Sequence, residues 1–509
     1  MIQLPQFPQS YWTASADIPE FSELTSDLTT DVVIVGAGIT GITAGYLLSK
    51  EGIKVVILDA GRVLHGTTGH TTAKITCQHG LIYDELIGHF GEDKARAYYE
   101  ANRDALLFIR KTAEAEKIAC DLADEEAYIY AQTEQSASKL EKELLAYEKL
   151  GIPGELKDGI ALPVEIKSAL AMTGQARFHP IPYLTALINR IVRSESLIFE
   201  NTTAMKVEEG DSTVVVTETG NRIACRHVIS ASHFPFLDWK GFYFARMHAE
   251  RSYVLGARIA QDYPGGMYIS ADEPKRSIRQ GRYGDEPLLL IGGDGHKAGQ
   301  SSCTIKHYEA LHTFAEQLFD VKEIPYRWST QDLVTLDKVP YVGRIQSRSD
   351  RLLVATGYRK WGMTNATSAA HRLANIVLGI DDPYSELFDP SRFHADPDIK
   401  SFVSDNADVA GQLIAGKLDI VQRSPDTVAA NEGAIVRVNG KRAGAYRDAE
   451  GRLFLVDTTC THMGCETKWN DGDRTWDCPC HGSRYSYTGE VIEGPAKEPL
   501  HAIAVPGSD

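Results

Sequence analysis

An unbroken apolar run, Asp31-Val-Val-Ile-Val35, stops at Gly36-Ala-Gly38-Ile-Thr-Gly41, and a second run, Gly52-Ile-Lys-Val-Val-Ile-Leu58, ends in Asp59. Short runs of this kind predict strands buried on both faces, as in a parallel sheet covered by helices. The small residues between them predict a helix packed close on that sheet. Leu197 to Val207, Thr213 to Thr217 and His227 to Ala231 predict further strands. Leu352-Leu-Val-Ala-Thr-Gly357 predicts another, followed by a glycine turn and a helix through Ala374 and Ile376. Asp93 to Ala119 and Thr133 to Leu150, rich in Ala, Glu and Lys, predict long amphipathic helices with a structural part to play. The residues before Thr30, with Pro5, Pro8, Tyr11, Trp12 and Pro19, predict an extended arm laid over the body. A looser stretch from Asp381 to Gly411, with Pro383, Pro390 and Pro397, predicts a linker.

The order strand, glycine turn, helix, strand, acid has a chemical meaning. Gly36 permits the tight turn, Gly38 lets the backbone approach a pyrophosphate at the helix N-terminus, and Gly41 allows close packing of the helix. Asp59 stands where a carboxylate would hydrogen-bond a ribose hydroxyl. Together these predict a dinucleotide site, without deciding between FAD and NAD.

Near the C-terminal end stand Cys460-Thr-His462-Met-Gly464-Cys465 and Cys478-Pro-Cys480-His481-Gly482-Ser483-Arg-Tyr485. Paired Cys-x-His and Cys-x-x-His spacing suits a [2Fe-2S] cluster with one iron on thiolates and the other on imidazoles. It also suits a structural zinc, although Cys465 and Cys480 raise the candidates to six, too many for one zinc. The two boxes resemble those of the high-potential Rieske proteins of respiratory and photosynthetic complexes, over roughly the last ninety residues. The resemblance implies that Cys460 and Cys478 bind one iron and His462 and His481 the other, with Cys465 and Cys480 joined in a disulfide. It also implies that Ser483 and Tyr485 offer hydroxyls to the cluster sulfurs, which raises the potential. Gly494-Pro495-Ala496 resembles the family's proline loop over the cluster.

Residues from about 30 to 380 resemble the D-amino-acid oxidase, glycine oxidase and sarcosine oxidase superfamily, which implies FAD. The segments that carry the likeness are Gly66-Thr67-Thr68-Gly69-His70-Thr-Thr-Ala-Lys74, Gly174 to Leu184, and Trp328 to Asp332 with Asp337 to Gly343, besides the late glycine turn. The family's arginine-proline pair is missing, with Asp332-Leu-Val334 in its place. By this resemblance Thr67, Thr68 and Val207 contact FAD, with Val207 at the adenine end. Gly357, Gly362, Met363 and Thr364 bring a helix N-terminus to the flavin pyrimidine edge, where it favours the reduced anion. Lys360 aligns with an arginine that binds the substrate carboxylate; a solvated surface lysine is the other reading. Arg251 and Tyr253 are further candidates. Gly66 to His70 also resembles the GTTxH segment of the dimethylglycine and sarcosine dehydrogenases, which implies covalent FAD on His70; the alternative is a histidine hydrogen-bonding near the flavin.

With 43% hydrophobic and 24% charged residues, the 509-residue chain is a folded one of two or three domains. A net charge of −16 and no basic stripe exclude nucleic acid as a partner. No Lys or Arg precedes Lys50, and no apolar run approaches a membrane span, so no integral membrane segment is expected and the location expected is cytoplasmic. Cys77, Cys120, Cys225 and Cys303 stand singly, as reduced thiols do. Two other enzymes fail specific checks. A Rieske oxygenase needs an iron held by two His and a carboxylate, and no acid stands at the required spacing before His307 and His312; a pyridine-nucleotide reductase needs a second dinucleotide fold, which Leu288 to Gly299 does not provide.

The fold expected is therefore an α/β Rossmann-like FAD-binding domain with a β-rich substrate domain, followed by an all-β Rieske domain. The expected boundaries are 1–395 for the oxidoreductase, with FAD-binding segments at about 30–90, 200–235 and 335–380, then 396–415 for a linker and 416–509 for the Rieske domain. The function expected is oxidation of a small amine or amino acid by hydride transfer to flavin, with electrons relayed singly through the cluster to a protein or quinone acceptor. The alternatives are an oxidase using O₂, with the Rieske domain as sensor or docking module, and an electron-transfer protein without catalysis.

Overall fold

The four residues Val32–Val35 are all buried and form the middle of a six-stranded sheet. Its order is Tyr341–Arg344, Leu352–Thr356, His227–Ser230, Val32–Val35, Val55–Leu58, Leu197–Phe199. All neighbours are parallel except the first pair, so both faces must be covered by helices, as the continuous apolar runs demand. Helix Ile39–Lys50 covers one face, and Gly45 lets it sit so close that an added Cβ would come 2.8 Å from Ile57 Cδ1. This computed structural model describes residues 3–301, 303–346, 349–418 and 421–505.

A second, nine-stranded sheet forms the substrate domain. One edge is strand Val321–Thr335, paired with Met247–Ile259 and, beyond it, Glu286–Lys297, and the far edge is the short strand Lys74–Ile75. A four-stranded sheet of Leu28–Thr29, Arg222–Cys225, Thr213–Thr217 and Ala204–Glu209 packs beside the first sheet. Residues 432–493 supply two small antiparallel sheets, of three and four strands.

Three expectations change. The strand expected from Leu197 to Val207 is broken after Phe199 and resumes at Ala204. The break has a cause: Glu200 turns aside to accept from Phe21 N and Val63 N, and Thr202 N donates to Asp59 O, which ties down the end of the acid-bearing strand. The stretch expected as a loose linker, 396–415, lies in helix Ala395–Leu418, bent at Asp396. All three prolines precede its second turn, where a missing N–H costs no helical bond. Asp405 and Asp408 of this helix pair with Lys297, each at 3.2 Å, and Asp405 also meets His248 at 3.0 Å. The arm before Thr30 does lie on the body, but it includes a helical turn, Tyr11–Ala14. Trp12 there donates to Thr71 O and lies under the Arg279 guanidinium.

The C-terminal domain is seated on the substrate sheet by buried ions. Arg251, entirely buried, donates to Ser329 Oγ, Gln331 Oε1 and Glu493 Oε2 at 2.9 to 3.0 Å. Arg484 pairs with Asp473 at 2.6 Å, and Tyr308 donates to the same acid at 2.8 Å. Removing one member of such a buried network leaves its partners charged and dry.

Candidate flavin cavity and cluster site

The glycine turn is shaped for close approach. Gly36 has φ of +108°, and a Cβ there would meet Ala231 O at 2.4 Å; a Cβ on Gly41 would lie 1.9 Å from Gly36 O. No larger residue fits either position. Asp59 is pinned at its strand end by accepting from Ala37 N at 2.8 Å and Gly61 N at 2.9 Å, while burial raises its pKa. Gly36 and Asp59 line one end of a cavity of about 1180 Å³, with Gly38, Thr67 and Thr68 beside them. That volume exceeds the roughly 300–1,000 Å³ of an ordinary ligand pocket. A dinucleotide with a substrate beyond it fits the space, and the glycine cradle fits its phosphates.

Thr203 and Ala204 line this cavity, whereas Val207, expected at the adenine end, lies outside the lining and packs with the core of the small sheet. His70 is also outside the lining. Its Nδ1 is 2.9 Å from Gly66 O, and its carbonyl accepts from Trp328 Nε1. At the late turn, Gly362 and Met363 line the cavity at the start of helix Gly362–Leu378, which has no side-chain cap. Its first N–H groups therefore await an acceptor. Thr364 is buried on Thr76 O and His79 instead, and Gly357 packs against Thr335.

At the substrate end the expected anchor, Lys360, is 3.3 Å from Glu250. Burial opposes ionisation of Glu250, but His248 and Lys360 bring it down to about 2. Asp332 lines the same region, and burial lifts it to about 7 against the pull of Lys360. Tyr253 lines the cavity with its hydroxyl 2.9 Å from His296 Nε2, while Arg251 serves the domain interface. His79 is a cavity residue that spacing did not reveal: it stacks on Trp361 and is held by Tyr98 and Thr364. Burial brings it down to about 3, so it is neutral.

The cluster boxes are two turns closed by backbone bonds. Cys460 N donates to Cys465 O and Gly464 N to Cys460 O; Cys478 N donates to Ser483 O and Gly482 N to Cys478 O. Cys465 and Cys480 are joined in a disulfide, leaving Cys460, Cys478, His462 and His481 as donors. The two imidazoles lie 5.1 Å apart, and the Nδ1 of each is buried without a partner among the described residues. Two orphaned ring nitrogens beside two buried thiols fit a metal centre that takes two imidazoles and two thiolates. Tyr485 Oη is 3.2 Å from Cys460 Sγ, and Ser483 Oγ accepts from Ala496 N at 3.0 Å. His462 reaches the oxidoreductase body: its Nε2 is 3.3 Å from Asp238 Oδ2, and the rings of Phe234, Trp239 and Phe244 surround it. None of these four was legible by spacing.

A sheet pair carrying a glycine-turn dinucleotide site, joined to an all-β domain with a Cys/His centre, defines a two-cofactor oxidoreductase. The chain belongs to the FAD-dependent oxidoreductase (DAO) family, whose model matches residues 31–376, and it carries a Rieske [2Fe-2S] domain over residues 420–504. It is 47% identical to YhfW, a Rieske 2Fe-2S iron-sulfur protein of Bacillus subtilis (strain 168), over 97% of each chain. It is 24% identical to gamma-glutamylputrescine oxidoreductase of Escherichia coli (strain K12), over 74% of this chain and 90% of that one. Glycine oxidase from Geobacillus kaustophilus shares the fold with a TM-score of 0.60 at 19% identity, covering 72% of this chain and 99% of its own. Among the described residues, no helix is long and apolar enough to cross a membrane.

Proposed function

We propose that this protein is a dehydrogenase of small amines or amino acids whose electrons leave singly through the Rieske centre to an external protein or quinone. The observation that carries this reading is the wall shared by the two sites. Gln331 Nε2 donates to Gly482 O at 2.9 Å, beside His481, and Ala249 abuts the same glycine. The next residues along these strands, Asp332 and Glu250, line the cavity. From the other side Glu493, Gly494 and Pro495 of the Rieske domain line it too. When bound, FAD takes a hydride from the carbon bearing the nitrogen and a [2Fe-2S] cluster passes electrons on singly.

This chain's own residues orient the two centres, with the buried Gln331 and Gly482 bonded in the wall between them. The buried Arg251 lattice holds the domains in one register, which makes exchange between the sites intramolecular. The likeness to gamma-glutamylputrescine oxidoreductase and glycine oxidase supports an amine or amino acid as donor. We take 1–395 and 416–509 as the two units, and a cytoplasmic location is supported by the free thiols of Cys77, Cys120, Cys225 and Cys303.

The test is anaerobic mixing of the holoprotein with a panel of amines and amino acids, following flavin absorbance and the EPR signal of the reduced cluster together. Bleaching of flavin with a rising cluster signal is the expected result. Bleaching with the cluster left oxidised would favour an O₂-using oxidase, and no bleaching by any amine would favour an electron-transfer protein.

A further inference from the structure

The sheet wall of the cavity carries an ammonium that, among the described residues, no acid neutralises. Lys74 stands on the edge strand Lys74–Ile75 and lines the cavity. Its Nζ donates to Tyr268 O at 3.0 Å and Ser277 Oγ at 2.6 Å, two neutral acceptors for three N–H groups. Among the described residues the charge that faces it is Arg279, of the same sign. Its cross-strand neighbour Arg177 is occupied with Asp121 and Glu125. Burial, aided by Arg279, brings Lys74 down to about 7, the direction of an ammonium without a counter-ion.

The other cations of the cavity differ. Lys360 has Glu250 at 3.3 Å, Lys275 has Glu273 at 3.5 Å, Lys297 has Asp405 at 3.2 Å and Lys338 has Glu85 at 2.7 Å. Arg359 and Lys497, like Lys74, donate to neutral acceptors, but they stand elsewhere: Arg359 reaches His79 O in the late glycine turn, and Lys497 reaches Met205 O beside the small sheet. Attraction between charges is strong where water is excluded, and at Lys74 it is not already satisfied by a protein carboxylate. Ser277 Oγ accepts from Lys74 and keeps its own O–H to donate.

We propose that Lys74 is the anion anchor of the substrate end, binding a substrate carboxylate, and that Lys360, held by Glu250, is not. This rests on reading the cavity as an amine-oxidising site, and it makes the substrate an amino acid or other amino-carboxylate.

The probe is benzoate or acetate, titrated into the oxidised holoprotein and read by the flavin visible spectrum in buffer below pH of about 7. Wild type and Lys360→Met are expected to bind with similar affinity, and Lys74→Met and Lys74→Gln roughly tenfold or more weakly. FAD content and the cluster signal check that each variant is intact. Should both Lys74 variants misfold, affinity in the Asp332→Asn background, where the other group near 7 is silent, decides: it must fall as pH rises through about 7. A flat profile overturns the proposal. So do equal binding by Lys74→Met and wild type, loss confined to Lys360→Met, no carboxylate binding to wild type, or loss of FAD from Lys74→Met, which would place the ammonium on the cofactor. Flavin bleached by an amine while carboxylate affinity ignores Lys74 sinks the anchor and spares the reaction. Carboxylate binding that needs Lys74, with no amine that bleaches flavin, supports the anchor and sinks the reaction.

Discussion

All four ligand candidates of the cluster lie between Cys460 and His481, on two turns closed by backbone hydrogen bonds, whereas the flavin cavity draws on residues from Val35 to Pro499. The difference follows from what each site must do. Metal ligands have to reach one point at bond length, which tight turns at fixed spacing accomplish locally. A cavity that holds a dinucleotide and a substrate needs side chains converging from several strands. Here it also takes part of its wall from the Rieske domain. The cluster site is therefore a local construction and the substrate end a tertiary one, and the two meet along strands Met247–Ile259 and Val321–Thr335.

The sharpest way to break that contrast is to remove one cluster ligand. Cys478→Ser is expected to abolish cluster iron while flavin stays bound, measured by iron analysis beside the flavin spectrum; flavin lost in parallel would mean the sites are not separately built. Next in size is the seam. Arg251→Leu leaves Asp477 and the largely buried Glu493 sharing Arg484, at 3.4 and 4.0 Å, and is expected to cost about 3–5 kcal/mol in equilibrium unfolding. An unchanged denaturation midpoint would show that the ionic lattice does not hold the domains.

A smaller effect probes the cavity alone. Burial raises Asp332 from 3.8 to about 7, so the folded state keeps a proton that the unfolded chain has released. Its contribution to stability is complete below 3.8 and is lost as pH rises to about 7. Asp332→Asn should therefore narrow the gap in melting temperature between acid and mildly alkaline buffer. A gap equal to wild type would place the loss elsewhere. The smallest change is expected at His70, whose ring is outside the cavity lining. Acid precipitation of wild type should leave all yellow colour in the supernatant, and His70→Ala should keep full FAD; colour in the pellet would contradict both.

What the sequence by itself determined is whatever local spacing encodes. The buried runs at Val32–Val35 and Val55–Leu58, the glycine turn between them and the Cys/His boxes were all legible, because strands, turns and ligand pairs are decided within a few residues. The pairing of Cys465 with Cys480 came from the likeness of the boxes, and the disulfide is present. The proline-bearing stretch after Asp381 misled, because prolines before a helix's second turn permit the helix they seem to forbid. The tertiary structure alone brought Asp238 and Trp239 to His462, set Glu250 on Lys360 and, among the described residues, left Lys74 without an acid. These contacts join residues scores to hundreds of positions apart, and nothing in local spacing records which charge will find a partner and which will be left for a ligand.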